Sequence, residues 1–164
     1  MKTANGRAYG TNGPRDAYDD SYAYLSGFAA NVEAEAVIYR DPGLVTGITH
    51  EVELLFRVAD TVNSVRCYEC LFAYSGGIQI MRWNGPFGDF TDLGGGGLGR
   101  ELRTGDVVKA RIVGNTITCY INGTQLAQAA DSRWTDGQPG ISFFTRPGGN
   151  SAHFAMSSYS VTSI

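Results

Sequence analysis

The chain has 164 residues, 43% hydrophobic and 12% aromatic, which suits one packed domain and excludes a disordered chain with only 18% charged residues. A net charge of -3 removes any general attraction to nucleic acid or anionic membrane. Glycine is the outlier at 22 residues; without a Gly-X-Y period it excludes collagen and signals many tight turns.

Residues 1–17 read as an N-terminal extension with a short strand at 6–9, and a second short strand follows at 22–26. Residues 28–39 contain helix-favouring Ala and Glu, but from Val32 onward Val32, Ala34, Ala36 and Ile38 alternate with Glu33, Glu35, Val37 and Tyr39. Period two over that length outweighs weak propensity, so a strand is predicted. Over 51–58, Val52, Leu54, Phe56 and Val58 oppose Glu51, Glu53, Leu55 and Arg57. Over 64–74, Tyr68, Cys70, Phe72 and Tyr74 form the more apolar face, against Cys67, Glu69, Leu71 and Ala73. A Ser75-Gly76-Gly77 turn leads into a strand at 78–83. Residues 84–100, with the run Gly94-Gly95-Gly96-Gly97, read as a long glycine-rich loop.

Strands at 106–113, 116–121 and 124–130 are joined by Gly114-Asn115 and by Asn122-Gly123, a strong signal for a type I′ hairpin turn. Strands at 140–144 and 153–161 complete about eleven, spaced as in an all-β, two-sheet antiparallel sandwich spanning 1–164 as one domain. No apolar run approaches the ~20 residues that cross a bilayer, so membrane insertion is not expected. Residues 1–6 lack the apolar stretch of a secretory signal.

Cys67, Cys70 and Cys119 are an odd set and no disulfide framework. Cys67 and Cys70 have a C-x-x-C spacing, but on a strand residues i and i+3 face opposite ways. They can neither pair nor share a metal; a Cys70–Cys119 bridge between inward-facing strands stays open.

The stretch from Gly105-Asp106-Val107-Val108-Lys109-Ala110 to Tyr120-Ile121-Asn122-Gly123-Thr124 resembles concanavalin A-like lectin/glucanase sandwiches. That group includes laminin-G-like domains and many bacterial carbohydrate-binding modules. The segment from Asp131-Ser132-Arg133-Trp134 to Pro139-Gly140-Ile141 resembles the approach to their penultimate strand, and the likeness extends over residues 18–164. It implies a jelly roll whose curved sheet can hold a glycan on its concave face.

Retaining glycosidases need two carboxyls about 5 Å apart, and the Glu-x-Asp-x-x-Glu pattern of glucanases on this fold is missing. Glu33 with Glu35 and Glu51 with Glu53 share a strand face at about 7 Å and read as surface charge. His50 and His153 lack the Gln-x-His-x context of alginate-lyase-type sandwiches, so no catalytic residue is assigned. Sugar binding asks for less: an aromatic ring to stack on a pyranose and planar polar groups for its hydroxyls. Arg82-Trp83-Asn84, at the mouth of the glycine-rich loop, offers these, with Tyr24, Tyr39 and Arg57 as further candidates. No cofactor is required; Asp19 and Asp20, in an acidic cluster with Asp16, are candidates for a structural calcium ion.

The sequence therefore favours a non-catalytic, lectin-like module recognising a poly- or oligosaccharide. The alternative is a structural or assembly subunit (a virion decoration, an appendage protein or an extracellular adhesion module) with a protein neighbour as partner. The third is a glycan hydrolase or lyase with an unrecognised site. An extracellular or virion-surface setting within a larger assembly is expected, and no nucleic-acid partner.

Overall fold

The computed structural model describes residues 1–11, 20–43, 49–145 and 151–164. These form thirteen strands: β1 (Lys2–Ala4), β2 (Arg7–Tyr9), β3 (Ser21–Tyr24), β4 (Val32–Arg40), β5 (His50–Thr61), β6 (Ser64–Ala73), β7 (Gly77–Pro86), β8 (Phe90–Gly97), β9 (Val107–Val113), β10 (Thr116–Ile121), β11 (Thr124–Ala130), β12 (Gln138–Thr145) and β13 (Phe154–Ser163). One 3-10 turn, Ser151–His153, precedes β13. A seven-stranded sheet runs β1-β2-β13-β4-β9-β10-β11, and a six-stranded sheet runs β3-β12-β5-β6-β7-β8. Every pairing is antiparallel. The molecule is the two-sheet sandwich that the alternation predicts.

Alternation builds the core between the sheets. Val32, Ala34, Ala36 and Ile38 of β4 meet Val52, Leu54 and Phe56 of β5 and Tyr68, Cys70 and Phe72 of β6 there. Glu33 and Glu35, on the other face of β4, share Lys109 at 3.0 and 3.2 Å, which accounts for that acidic pair as surface ion pairing. Cys70 and Cys119 meet in the core as free thiols in hydrogen-bonding contact, while Cys67 lies on the opposite face of β6. At the predicted hairpin turn Asn122 and Gly123 have φ of 50° and 78°, as a type I′ turn demands. The Asn122 side chain accepts from the Val107 N–H and donates to Asp106, which also holds Arg100 through both guanidinium nitrogens.

Three readings of the sequence need correction. The N-terminus is a hairpin, β1–β2, turned by Asn5 and Gly6, both at positive φ; three-residue strands are too short to alternate visibly. Residues 84–100 are not one loop: they contain β8, antiparallel to β7. The central two of its four consecutive glycines answer close approach rather than flexibility. A Cβ at Gly95 would lie 2.2 Å from the Ile78 carbonyl oxygen, and one at Gly96 only 2.1 Å from that of Leu126 in the facing sheet.

The third correction is at the end of β5. A β-bulge between Phe56 and Ala59 puts Arg57 at φ 53° and reverses the phase of the alternation. Val58 therefore joins Leu55, Val65 and Cys67 in a second apolar cluster, on the outer face of the six-stranded sheet, beneath Tyr22 and Trp83.

A carboxyl-lined groove as the candidate functional site

That outer face carries a groove of ≈ 420 Å³, within the range of small-ligand sites. Its floor is the alternate set of residues excluded from the core: Glu51 and Glu53 on β5, Glu69 and Leu71 on β6, and Gln79, Met81 and Trp83 on β7. Phe144 closes one side from β12, Asp20 stands just before β3, and the β7–β8 turn overhangs with Phe87 and Asp89. Phe87 and Phe90 are 57% and 43% exposed, so two aromatic rings are open to solvent at this wall.

Strand register sets the acid pair. Glu53 lies opposite Leu71 and Leu55 opposite Glu69, so the two glutamates are diagonal neighbours on one face, with Cα atoms about 7–8 Å apart and Cβ atoms closer. Both are buried, Glu53 1% and Glu69 5% exposed. The Trp83 indole N–H donates to Glu69 Oε2, and the Trp83 ring meets Tyr22 edge-on with centroids 6.3 Å apart. Glu53 Oε2 is buried and has no hydrogen-bond partner among the described residues.

Electrostatically the groove resists ionisation. Burial, then the negative charge of Glu69, Asp20 and Glu51, pushes the Glu53 carboxyl well above the carboxylate range. Burial and Asp20 push Glu69 up to about 8 despite the opposing hydrogen bond from Trp83. Burial, followed by the same two glutamates, raises the Cys67 thiol beneath them. Two neutral carboxyls can both donate and accept hydrogen bonds, which a carboxylate pair cannot.

No protein-family model and no curated protein matches the sequence. Solved structures do resemble the fold. The carbohydrate-binding module CBM66 from Bacillus subtilis superposes with a TM-score of 0.62 at 16% identity, over 89% of this chain and 95% of that one. Sheep galectin-11 gives 0.57 at 9% identity, over 93% and 99%. The kappa-carrageenase from Pseudoalteromonas carrageenovora gives 0.53 at 12% identity, over 85% and 66%. The fold is a concanavalin A-like jelly roll.

On this jelly roll the sequence candidates do not converge. Trp83 stands in the groove, but its neighbours Arg82 and Asn84 face the sandwich side of β7, because side chains alternate along a strand. Arg82 binds Asp131 at 2.5 Å and the side chains of Asn84 and Thr91; Asn84 in turn donates to Asp89 and Thr91. Tyr24 lies on the groove's sheet face at the edge strand and donates to Asp60 at 2.7 Å. Tyr39 is on the outer face of the other sheet beneath the Arg7 guanidinium, 3.3 Å from its ring centroid. Arg57 turns inward at its bulge and donates to the carbonyls of Ala30, Trp134 and Gly114.

Asp20 belongs to the groove, while Asp16 and Asp19 lie outside the described residues. Among the described residues no three His, Cys, Asp or Glu side chains stand close enough to hold a metal. Glu53, read from the sequence as surface charge, is instead buried in the groove floor, and Glu69 is a site residue that sequence reasoning missed altogether. Its signal was an acid in the middle of an otherwise apolar strand, where a charge needs a reason.

Proposed function

We propose that this jelly roll binds a poly- or oligosaccharide, without cleaving it, in the groove of its six-stranded sheet. The carrying observation is Trp83: a half-buried indole held edge-on by Tyr22 and hydrogen-bonded to Glu69, beside carboxyls and two exposed phenylalanines. A sugar needs this combination, an apolar surface for its ring and fixed polar groups for its hydroxyls. Solved structures of the same fold that are named as a carbohydrate-binding module and as galectins support the reading.

The test is a glycan array probed with the wild-type protein and with Trp83→Ala, each checked for folding by circular dichroism. Saturable binding to one glycan class that disappears in the variant is expected. Binding that survives Trp83→Ala overturns the placement of the site. Absence of binding by folded wild-type protein overturns the function and favours an assembly subunit.

One observation favours a second reading, a glycan hydrolase: two buried carboxyls with different surroundings can divide acid and base roles. Release of reducing ends from a bound glycan, abolished by Glu53→Gln, would establish it.

A further inference from the structure

We propose that the groove selects a cationic glycan, an oligomer of 2-amino-2-deoxyhexose, over neutral and acidic ones; this rests on the glycan-binding reading above. Five carboxyl groups line it: Asp20 before β3, Glu51 and Glu53 on β5, Glu69 on β6 and Asp89 in the β7–β8 turn. No Arg, Lys or His is among its described lining residues. Among the described residues, the other ionisable side chains on this face near the two floor glutamates include Tyr22 from β3 and Cys67 from β6, and neither supplies positive charge. The nearby arginine of β7, Arg82, is turned away and bound to Asp131.

The acidity is built into the floor as well as the rim, and one of its atoms lacks a partner. Glu53 Oε2 is buried without a hydrogen bond; the buried Ser142 hydroxyl, directly opposite in the β5–β12 register, is a neighbouring neutral donor that favours the Glu53 carboxylate but brings no charge. Leaving a buried acceptor unmade is costly, and a ligand that donates to it removes the cost. An ammonium group brings three donors and a positive charge to a site whose carboxyls resist ionisation for want of one. A neutral hydroxyl can fill the hydrogen bond but does nothing to let the carboxyls ionise, and an acidic sugar opposes their ionisation further. Burial first, then the charge of Glu69, Asp20 and Glu51 on Glu53 and of Asp20 and Glu51 on Glu69, holds both floor glutamates toward their neutral forms, and a cation beside them lets them ionise. Trp83, Phe87 and Phe90 supply the apolar surface that a sugar ring needs and a simple cation does not.

Isothermal titration calorimetry of the full chain, in buffer of physiological ionic strength, compares three probes: the glucosamine tetramer, its fully N-acetylated counterpart and tetragalacturonate. The amine-bearing tetramer is expected to bind about tenfold or more tighter than the acetylated one, the loss of one charge-assisted hydrogen bond, with no binding of tetragalacturonate. Glu53→Gln is expected to erase that preference, so that the amine-bearing and acetylated tetramers bind alike. Asp89→Asn, on the exposed turn, is expected to reduce the preference and provides a variant that leaves the floor intact. Glu35→Gln, on the other sheet, should leave it unchanged.

Equal or tighter binding of the acetylated tetramer overturns the amine selection and leaves the glycan-binding reading standing. A loss in Glu35→Gln as large as in Glu53→Gln reduces the effect to net charge and overturns the site. No binding of any probe, together with a blank glycan array, overturns both readings.

Discussion

Replacing Glu69 by Gln should make the protein more stable than the wild type by an amount that grows from about pH 5 to about pH 8 and then levels off. Glutamine keeps an oxygen to accept the Trp83 N–H and nearly the same volume, so it removes little but the ability to ionise. In the folded protein, burial and then Asp20 raise the Glu69 carboxyl from 4.5 to about 8. A group whose folded value lies above its unfolded value contributes stability that is full below the unfolded value and is lost as pH rises toward the folded one. Between those limits the unfolded chain has released a proton that the folded chain retains, and each pH unit costs about 1.4 kcal/mol. From pH 5 to pH 8, roughly three units, the wild type should therefore lose on the order of 4 kcal/mol relative to the variant. For a domain of this size that corresponds to a Tm difference on the order of 10 °C. Urea unfolding of both proteins across that range, followed by tryptophan fluorescence, reads the difference directly. Parallel stability curves for wild type and Glu69→Gln would refute the reasoning, because they would mean that Glu69 is ionised in the folded groove.

Other substitutions test the frame around the groove. Arg82→Ala should destabilise the protein by about 3 kcal/mol, since it leaves Asp131 nearly buried without its cation; chemical denaturation measures this, and glycan affinity should persist. Gly96→Ala should cost about 2–3 kcal/mol by driving a methyl against the Leu126 carbonyl. Gly97→Ala, whose methyl would meet its nearest neighbour at 3.5 Å, should stay within about 0.5 kcal/mol of wild type. Asp106 is held far below the usual aspartate range, first by the hydrogen bonds from Arg100 and then by Asn122 and the Arg103 N–H. Its contribution is present above the unfolded aspartate range, about pH 4, and is lost as pH falls below it. Asp106→Asn should therefore lower Tm at neutral pH and flatten the acid limb of the stability curve.

The sandwich was legible because its signals are local. Period-two alternation in β4, β5 and β6 and the Asn122-Gly123 turn require only neighbouring residues to be read correctly. β8 was not legible, because its glycines look like a flexible tract until the carbonyls of Ile78 and Leu126 are seen pressing on them. The Arg57 bulge failed for a related reason: one inserted residue leaves no mark in the sequence yet exchanges the faces of Arg57 and Val58.

The groove lies between these cases. Alternation alone separates Trp83 from Arg82 and Asn84, so their adjacency in sequence was evidence against a shared site. The same alternation puts Glu53, Glu69 and Trp83 each on the outward face of its own strand. What it cannot supply is the register that makes Glu53 oppose Leu71 and Glu69 oppose Met81. A one-residue slip of β5 against β6 would put one glutamate in the core, where Phe56, Tyr68 and Phe72 leave no room for it, and would expose core residues in exchange. Core packing therefore fixes the register, and the register brings two carboxyls together at a cost in stability that grows with pH. A fold that needed only the sandwich would not need that pair, which makes the acid floor the part of this molecule most in want of a ligand.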